Sequence, residues 1–389
     1  MSMTTDSKPL SAARPQASAQ LALLAAIVLF AAITPTILMT APAVAAQLAT
    51  QWQLGPAQIG DLFSAELGAM SLATLPAFYW LKRVDWRRAA LLAGVAFIAA
   101  NLLSIWASGY STLLALRFCS ALAGGSLMIV CLSSAASTAN PSRVYGLWVM
   151  GQLVVGAIGL SVLPRLFEHY GLAACYLLLA LLMALFLPLA RYFPRGAPVT
   201  AQAGEAAAPL AKGKVALGIL GILAFYISLS GVWTFIGAIS AGAGIAAEAS
   251  GEVLAIATVM GIVGAGCASL IGDRLPRGLL LLLGYGLMIG SLLLLLGQPP
   301  LARLALAALA FKFTWTFILP LILACLADLD RSGKLMNASN LVIGGGLAIG
   351  PAIAGRLIES SGGFQPLLIG AAVTTLTSLL LILGCRRGA

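Results

Sequence analysis

The stretch RYFPRGAPVTAQAGEAAAPLAKGK, residues 191–214, is the longest polar interruption of the chain and lies near its middle. Its proline, alanine and glycine content, without any hydrophobic period, predicts a linker. The chain on either side is strongly apolar: 61% of the 389 residues are hydrophobic and only 9% are charged. Mean hydropathy is +1.02. Because a soluble domain carries about 25% charged residues, this composition predicts a membrane-spanning chain.

Apolar runs flank the linker, six before it and six after it, and each is long enough to cross a bilayer, which takes about 20 apolar residues. They cover approximately residues 20–46, 56–80, 88–108, 110–136, 143–166, 172–193, 215–241, 250–272, 278–297, 301–327, 335–358 and 364–385. The predicted fold is an all-α integral membrane protein, with twelve transmembrane helices as two six-helix bundles and a central cavity. The first run is longer than a signal-peptide core, so we expect it to be retained as the first span.

The predicted organisation has four parts. Residues 1–19 form a disordered cytoplasmic tail, 20–193 an N-terminal six-helix bundle, 194–214 a cytoplasmic linker and 215–389 a C-terminal six-helix bundle. The six cysteines show no paired spacing and most lie in apolar runs, so we read them as packing residues and expect no metal or cofactor.

The Lys and Arg residues indicate the orientation. If the N-terminus is cytoplasmic, 17 of the 22 fall on the cytoplasmic side, and only Arg165, Arg303 and Arg356 fall on the other. Arg117 and Lys312 lie inside spans. Cytoplasmic loops carry the excess of positive charge, so both termini are predicted to be cytoplasmic, in a bacterial inner membrane. The net charge of +10 follows from this topology and requires no nucleic acid. The expected partners are membrane lipid, a small-molecule substrate and protons, with the chain as a monomer.

The two halves carry similar features at an offset of about 190 residues, as an internal repeat would. GDLFS (60–64) opens span two and GEVLA (251–255) opens span eight. Six plus six spans, a central linker and these loops resemble the major facilitator superfamily of secondary transporters, over nearly the whole chain. The family's loop pattern G-x-x-x-D-R-x-G-R-K follows span eight as Gly272-Asp273-Arg274 and Arg277, with Pro276 where glycine is usual.

The first copy of this loop pattern, after span two, is degenerate. Its basic end remains as Arg87 and Arg88, but Arg83 stands about where the aspartate is expected and Trp86 replaces the glycine. The family's arginine in span four is Arg117. The resemblance implies that the two loops hold the halves together at the cytoplasmic side in one state. The gating residues would be Asp273, Arg274, Arg277, Arg87 and Arg88.

Lys312 lies in the middle of ALAFKFTWTFILP (308–320), without another charge between Arg303 and Asp328. It is about 16 Å along a helix that begins near Leu301, hence near the middle of a core about 30 Å thick. An intramembrane charge costs at least about 2.5–3.5 kcal/mol and usually marks a functional site. Trp315 and Thr316 follow at the spacing of one helical face. The alternative is a neutral lysine, or one paired with a helix carbonyl for packing.

Glu66 is the one acid deep inside a span, and a carboxyl group at that depth can exchange a proton near neutral pH, as proton coupling requires. It could also form a structural ion pair with Arg117 or Lys312, and protonation would then break the pair. Arg117 stays charged and must face a partner, a substrate or water. Asn101, Gln152 and Trp233 could line the cavity or form helix–helix hydrogen bonds.

Two positive charges against one negative charge deep in the spans favour an anionic substrate. We therefore predict a proton-coupled transporter that takes up a small organic anion by alternating access. The alternative is proton-driven efflux of a drug or hydrophobic metabolite. The glycine pattern that the family's exporters carry in span five is incomplete here, with Ala157 in place of proline, and complete in span eleven at 346–355. The chain has no nucleotide-binding loop, and one His with one deep Glu cannot form an enzyme site.

Overall fold

A computed structural model describes residues 13–196, 212–271, 274–329 and 334–386, and these residues form helices and short loops. The helices are α1 Ala13–Ile33, α2 Thr36–Met39, α3 Ala41–Gln51, α4 Pro56–Leu72, α5 Thr74–Trp80, α6 Trp86–Ile105, α7 Tyr110–Ala136, α8 Pro141–Tyr170, α9 Ala173–Phe186 with a 3-10 helix at Leu187–Tyr192, α10 Lys212–Gly242, α11 Ala247–Ile271, α12 Arg277–Leu294, α13 Leu301–Leu329, α14 Lys334–Ser361 and α15 Gln365–Arg386.

Ten of the described helices are long and apolar enough to cross a membrane. They cover the last ten of the predicted apolar runs. The first two runs are also helical but interrupted, since 20–46 is divided among α1, α2 and α3, and 56–80 between α4 and α5. The chain is therefore a multi-pass membrane protein, and the count of twelve spans remains a prediction.

Proline explains the breaks in the first run. Pro35 and Pro42 have no N–H, so a continuous helix would leave carbonyl groups without partners. The hydroxyl groups of Thr34, Thr36 and Thr40 each bond to the carbonyl four residues earlier. Such side-chain bonds make a broken helix tolerable where lipid offers no hydrogen bonds.

Short loops reverse the chain between successive long helices, so the loops lie at alternate ends of the molecule. We call the end with loops 81–85 and 137–140 the basic end, and the end with loops 52–55 and 171–172 the opposite end. At the basic end, Arg87 Nε donates to the Phe193 carbonyl at 2.6 Å. At the opposite end, the Leu172 N–H donates to the Gln51 amide oxygen Oε1 at 2.8 Å.

The N-terminal half (13–196) packs on the C-terminal half (212–386) through α4 on α14, α8 on α11 and α3 on α10. Small residues allow this close approach. A Cβ added at Gly60 would collide with the Pro351 carbonyl, and one at Gly237 would collide with the Pro42 carbonyl. Close contact of backbones through glycine is a common way to hold helices together in a membrane.

Ion pairs also join the two halves. Arg356 Nη1 contacts Asp61 Oδ1 at 2.6 Å, and Arg165 contacts both Glu248, at 3.5 Å, and Glu252, at 2.5 Å. Over the described ranges, the ion pairs between the halves all lie at the opposite end. The pair Arg277–Asp328, at the basic end, stays within the C-terminal half. The opposite end is therefore the closed end of the molecule.

Candidate functional site

The first buried charged cluster lies within the N-terminal half. Arg117, with only 1% of its surface exposed, contacts Glu66 Oε1 through both Nε and Nη2 at 3.2 Å. Its Nη1 donates to Asn101 Oδ1 at 2.9 Å, and Asn101 Nδ2 donates to Ser120 Oγ at 2.9 Å. The guanidinium carbon lies 4.6 Å from the centre of the Tyr176 ring. Helices α4, α6, α7 and α9 thus bring these side chains together, and Glu66 pairs with Arg117 rather than with Lys312.

A cavity of about 20 Å³ adjoins this cluster and is lined by Glu66, Arg117, Ser120, Thr34 and Leu38, among others. A site of this size with several polar groups can hold one water molecule. The broken first helix forms one wall, because Thr34 lies between α1 and α2 and Leu38 lies in α2. The ion pair therefore has room for a water molecule beside it.

The second buried charge, Lys312, lies within α13 in the C-terminal half. Its exposed fraction is 1%, and its Nζ lies 3.6 Å from the centre of the Trp233 ring and 4.2 Å from that of the Trp315 ring. Phe311 stacks on Trp233 with ring centres 6.3 Å apart. In the part of the chain that the structure describes, no acidic side chain lies within ion-pair distance of Lys312. Aromatic faces attract an ammonium group electrostatically, and they occupy the place that a carboxylate would otherwise take.

Trp233 also connects Lys312 to the other half of the molecule. Its indole Nε1 donates to the Leu38 carbonyl at 2.9 Å. In a regular helix this carbonyl would accept the N–H four residues on, but that residue is Pro42, which has none. Because a buried carbonyl needs a partner, the indole from α10 satisfies the group that the proline leaves free.

Gln152 does the same at the other proline. Its Nε2 donates to the Ala31 carbonyl at 3.0 Å, and Ala31 lies four residues before Pro35. The predicted candidates Trp233 and Gln152 thus both complete the broken first helix. The sequence predicted these two side chains as candidates without their partners. Their acceptors were predictable, because the carbonyl four residues before each proline lacks its helical N–H.

Thr316 departs from the predicted arrangement. It follows Lys312 by one helical turn, but its hydroxyl donates to the Gly261 carbonyl of α11 at 2.6 Å. Gly264 packs against Thr316 and the Phe313 carbonyl and lets α11 come close at this point. Trp315 therefore shares the face of Lys312, whereas the hydroxyl of Thr316 joins α13 to α11.

Four of the five predicted gating residues lie in the described structure, at the basic end. Arg274 and Arg88 are exposed, Arg87 bonds to the Phe193 carbonyl and Arg277 pairs with Asp328. Asp273 lies outside the described residues. Where these side chains have partners in the described structure, the partners belong to the same half, so the closing role of the loops stays a prediction.

Comparison with known proteins defines the class. The family model of the Major Facilitator Superfamily matches residues 21–341, and the chain belongs to this family. A comparison with curated proteins gave no match. Among solved structures, the nucleoside transporter NupG is similar with a TM-score of 0.73 and 12% identity, over 93% of this chain and 98% of that one.

A bacterial homologue of the human lysosomal transporter Spinster is similar in two inward-facing structures. The unoccupied structure gives a TM-score of 0.65 over 95% of this chain and 97% of that one. The occupied structure gives 0.68 over 94% and 96%, and identity is 15% in both cases. At 12–15% identity, the similarity shows that these proteins share the fold and no more. The family makes the chain a membrane transport protein for small molecules and not an enzyme.

Proposed function

We propose that this chain is a secondary transporter of a bacterial cytoplasmic membrane, and that it takes up a small organic anion together with protons. The observation that carries the proposal is the buried ammonium group of Lys312, which has no acidic partner among the described residues. The other deep positive charge, Arg117, is matched by Glu66 at 3.2 Å. The net charge left in the middle of the helices is thus positive, and a positive site favours an anionic solute.

The position of Lys312 supports a role in substrate binding. Transporter sites lie near the midplane of the membrane, where the two repeats meet. Lys312 meets this requirement through Trp233, which contacts both its ammonium group and the N-terminal half. A substrate carboxylate would compete with the indole faces for the ammonium group. Trp315 and Trp233 would remain as apolar walls for the rest of the solute, and Arg117 is the second candidate for its negative charge.

The Glu66–Arg117 pair supports the coupling to protons. Protonation of Glu66 would remove the charge that holds Arg117, and the cavity beside the pair has room for one water molecule next to the carboxyl group. A salt bridge broken by protonation can change which helix arrangement is preferred, as in other switches driven by a local charge.

The proposed topology has twelve spans in two six-helix bundles around a central cavity, with both termini in the cytoplasm. The distribution of Lys and Arg supports this orientation, because the basic end would then be cytoplasmic. The ion pairs that close the opposite end support a state open to the cytoplasm. Asp273, Arg274 and Arg277 would join Arg87 and Arg88 in closing the basic end in the alternate state.

Transport into proteoliposomes tests the function. Radiolabelled small carboxylates are offered to the wild type and to Lys312→Met, with and without an inward proton gradient. We expect proton-dependent accumulation by the wild type and no accumulation by Lys312→Met. Lys312→Arg should retain a small part of the wild-type uptake. The Met variant should keep its thermal stability, because it loses a buried charge and gains apolar contact. Wild-type uptake by Lys312→Met would reject the anion site and favour efflux of an uncharged or hydrophobic solute.

A further inference from the structure

A second cavity lies at the closed end of the molecule, away from Lys312 and Glu66. Its volume is about 190 Å³. Helices α3 and α8 of the N-terminal half and α10 and α11 of the C-terminal half form its walls, through Pro42, Leu160, Phe167, Gly237, Ser250 and Leu254 among others. A molecule in this cavity would therefore touch both halves at once.

Close helix contacts on two sides keep this space open. Gly237 packs against the Pro42 backbone, and Gly251 packs against the Leu160 carbonyl and Pro164. These backbone contacts fix the spacing of the four helices, so the gap between them cannot close by a small shift of side chains. The cavity is therefore part of the closed arrangement of the two halves.

Polar side chains line the mouth of the cavity. Ser250 in the first turn of α11 is buried, and its hydroxyl has no hydrogen-bond partner in the described residues. Glu168 in the last turn of α8 is exposed, lines the cavity and forms no ion pair among the residues described. Leu160 and Leu254 lie deeper along the same helices, so the cavity has a polar mouth and an apolar floor.

The mouth carries an excess of negative charge. Arg165 lies next to it and pairs with Glu248 and Glu252, which leaves Glu168 without a matching cation. Ser250 is one of six buried side-chain polar atoms without a hydrogen-bond partner in the described residues, and it is one that lines this cavity, where a ligand can reach it. A protonated amine would supply the charge for Glu168 and hydrogen bonds for Ser250. For comparison, a dry cavity of about 150 Å³ accepts benzene.

We propose that this cavity binds a small protonated amine with a compact apolar body of about six to ten non-hydrogen atoms, and that the bound amine stabilises the closed arrangement of the two halves at this end. Any ligand that binds one state and not the other shifts the equilibrium towards that state. The halves must separate at this end for alternating access, and separation would divide the cavity. The inference requires only that the chain is a transporter of this family, whatever its substrate.

Benzylamine is a suitable probe, with benzyl alcohol as its neutral counterpart. Binding to the purified full chain in detergent is measured by equilibrium dialysis and by thermal shift. We expect benzylamine to bind more tightly than benzyl alcohol and to raise the melting temperature. Glu168→Gln should lower the affinity for benzylamine about two- to fivefold, as loss of an exposed charge pair does. Its affinity for benzyl alcohol should not change.

Two blocking variants test the location. Ser250→Leu fills the cavity, and Ala247→Trp narrows its exposed mouth without disturbing a packed core position. Each should lower the affinity for benzylamine by about tenfold or more, which corresponds to a loss of about 1.4 kcal/mol of binding free energy. Ser360→Leu, which is exposed at the same end but outside the cavity, is the matched control. Lys312→Met should bind benzylamine normally, which separates this site from the proposed anion site. Unchanged binding in both blocking variants, or equal affinity for the amine and the alcohol, would overturn the proposal.

Discussion

The indole N–H of Trp233 in α10 donates to the Leu38 carbonyl at 2.9 Å, and the ring of the same residue lies 3.6 Å from the ammonium nitrogen of Lys312. One side chain thus connects the buried lysine of the C-terminal half to the broken first helix of the N-terminal half. Leu38 also lines the small cavity beside Glu66 and Arg117. The segment α2 therefore contacts the surroundings of both buried charged groups.

Trp233→Phe removes the hydrogen bond and retains an aromatic face beside Lys312. The Leu38 carbonyl then loses this partner and keeps only the Thr40 N–H, and we expect the free energy of unfolding to fall by about 1 kcal/mol, at the low end for a buried group that loses a bond because membrane helices find alternative partners. Reversible unfolding of the purified protein in mixed micelles measures this loss.

Pro42→Ala provides the control, because it restores an N–H that can bond to the Leu38 carbonyl within the helix. In the Pro42→Ala variant, Trp233→Phe should lower the free energy of unfolding clearly less than it does in the wild type. A double-mutant cycle isolates this coupling. Additive effects of the two substitutions would show that the proline does not explain the indole bond.

Much of the fold was predictable, since each apolar run is long enough to be recognised on its own and the linker interrupts them clearly. The spacing of Lys312 and Trp315 likewise determines that they share a helical face. The pairing of Glu66 with Arg117 was one of several open alternatives, because it depends on how α4 packs against α7. Thr316 shows the limit of spacing arguments. The glycines of the neighbouring helix α11 let it come close enough for the Gly261 carbonyl to accept the hydroxyl of Thr316.

Glu66→Gln tests proton coupling. The variant keeps a hydrogen-bond acceptor for Arg117 but cannot change charge with pH. We expect accumulation driven by a proton gradient to disappear, while exchange of labelled for unlabelled solute across proteoliposomes continues, since exchange needs no net proton movement. Transport that still responds to the proton gradient in this variant would exclude Glu66 as the coupling group.

Replacement of Glu66 also has a consequence for stability. Removing the Glu66 side chain leaves the Arg117 guanidinium buried with neither a counter-charge nor its acceptor, and breaking a buried pair in this way costs about 3–5 kcal/mol, whereas glutamine keeps an acceptor. Glu66→Ala should therefore be much less stable than Glu66→Gln. The double variant Glu66→Ala with Arg117→Leu should recover part of the loss, as measured by thermal unfolding in detergent.

Reporter fusions test the orientation. A fluorescent protein that folds only in the cytoplasm should be bright when fused after Ala389 or inserted within 200–210, and dark when inserted within 243–246. The physical reason is the excess of Lys and Arg at the basic end. A dark fusion after Ala389, with normal expression, would contradict the predicted cytoplasmic C-terminus.

The pair Asp61–Arg356 tests the closed end. Arg356→Asp replaces an attraction between the halves with a repulsion, so the closed end should open more often. Exposed ion pairs contribute about 0.2–1 kcal/mol, which corresponds to a change of about 1.4- to fivefold in the population of the open form. In a background with the partly exposed Cys119 and Cys267 replaced by Ser, a cysteine at Ala46 reports the opening through its rate of labelling by an impermeant maleimide.

The labelling rate should rise in Arg356→Asp and return to the starting value when Asp61→Arg is added. Arg303→Asp is the control, because Arg303 lies at the same end but bonds to the Leu296 carbonyl within its own half. Equal labelling rates in Arg356→Asp and the charge-swapped pair would show that this ion pair does not hold the two halves together.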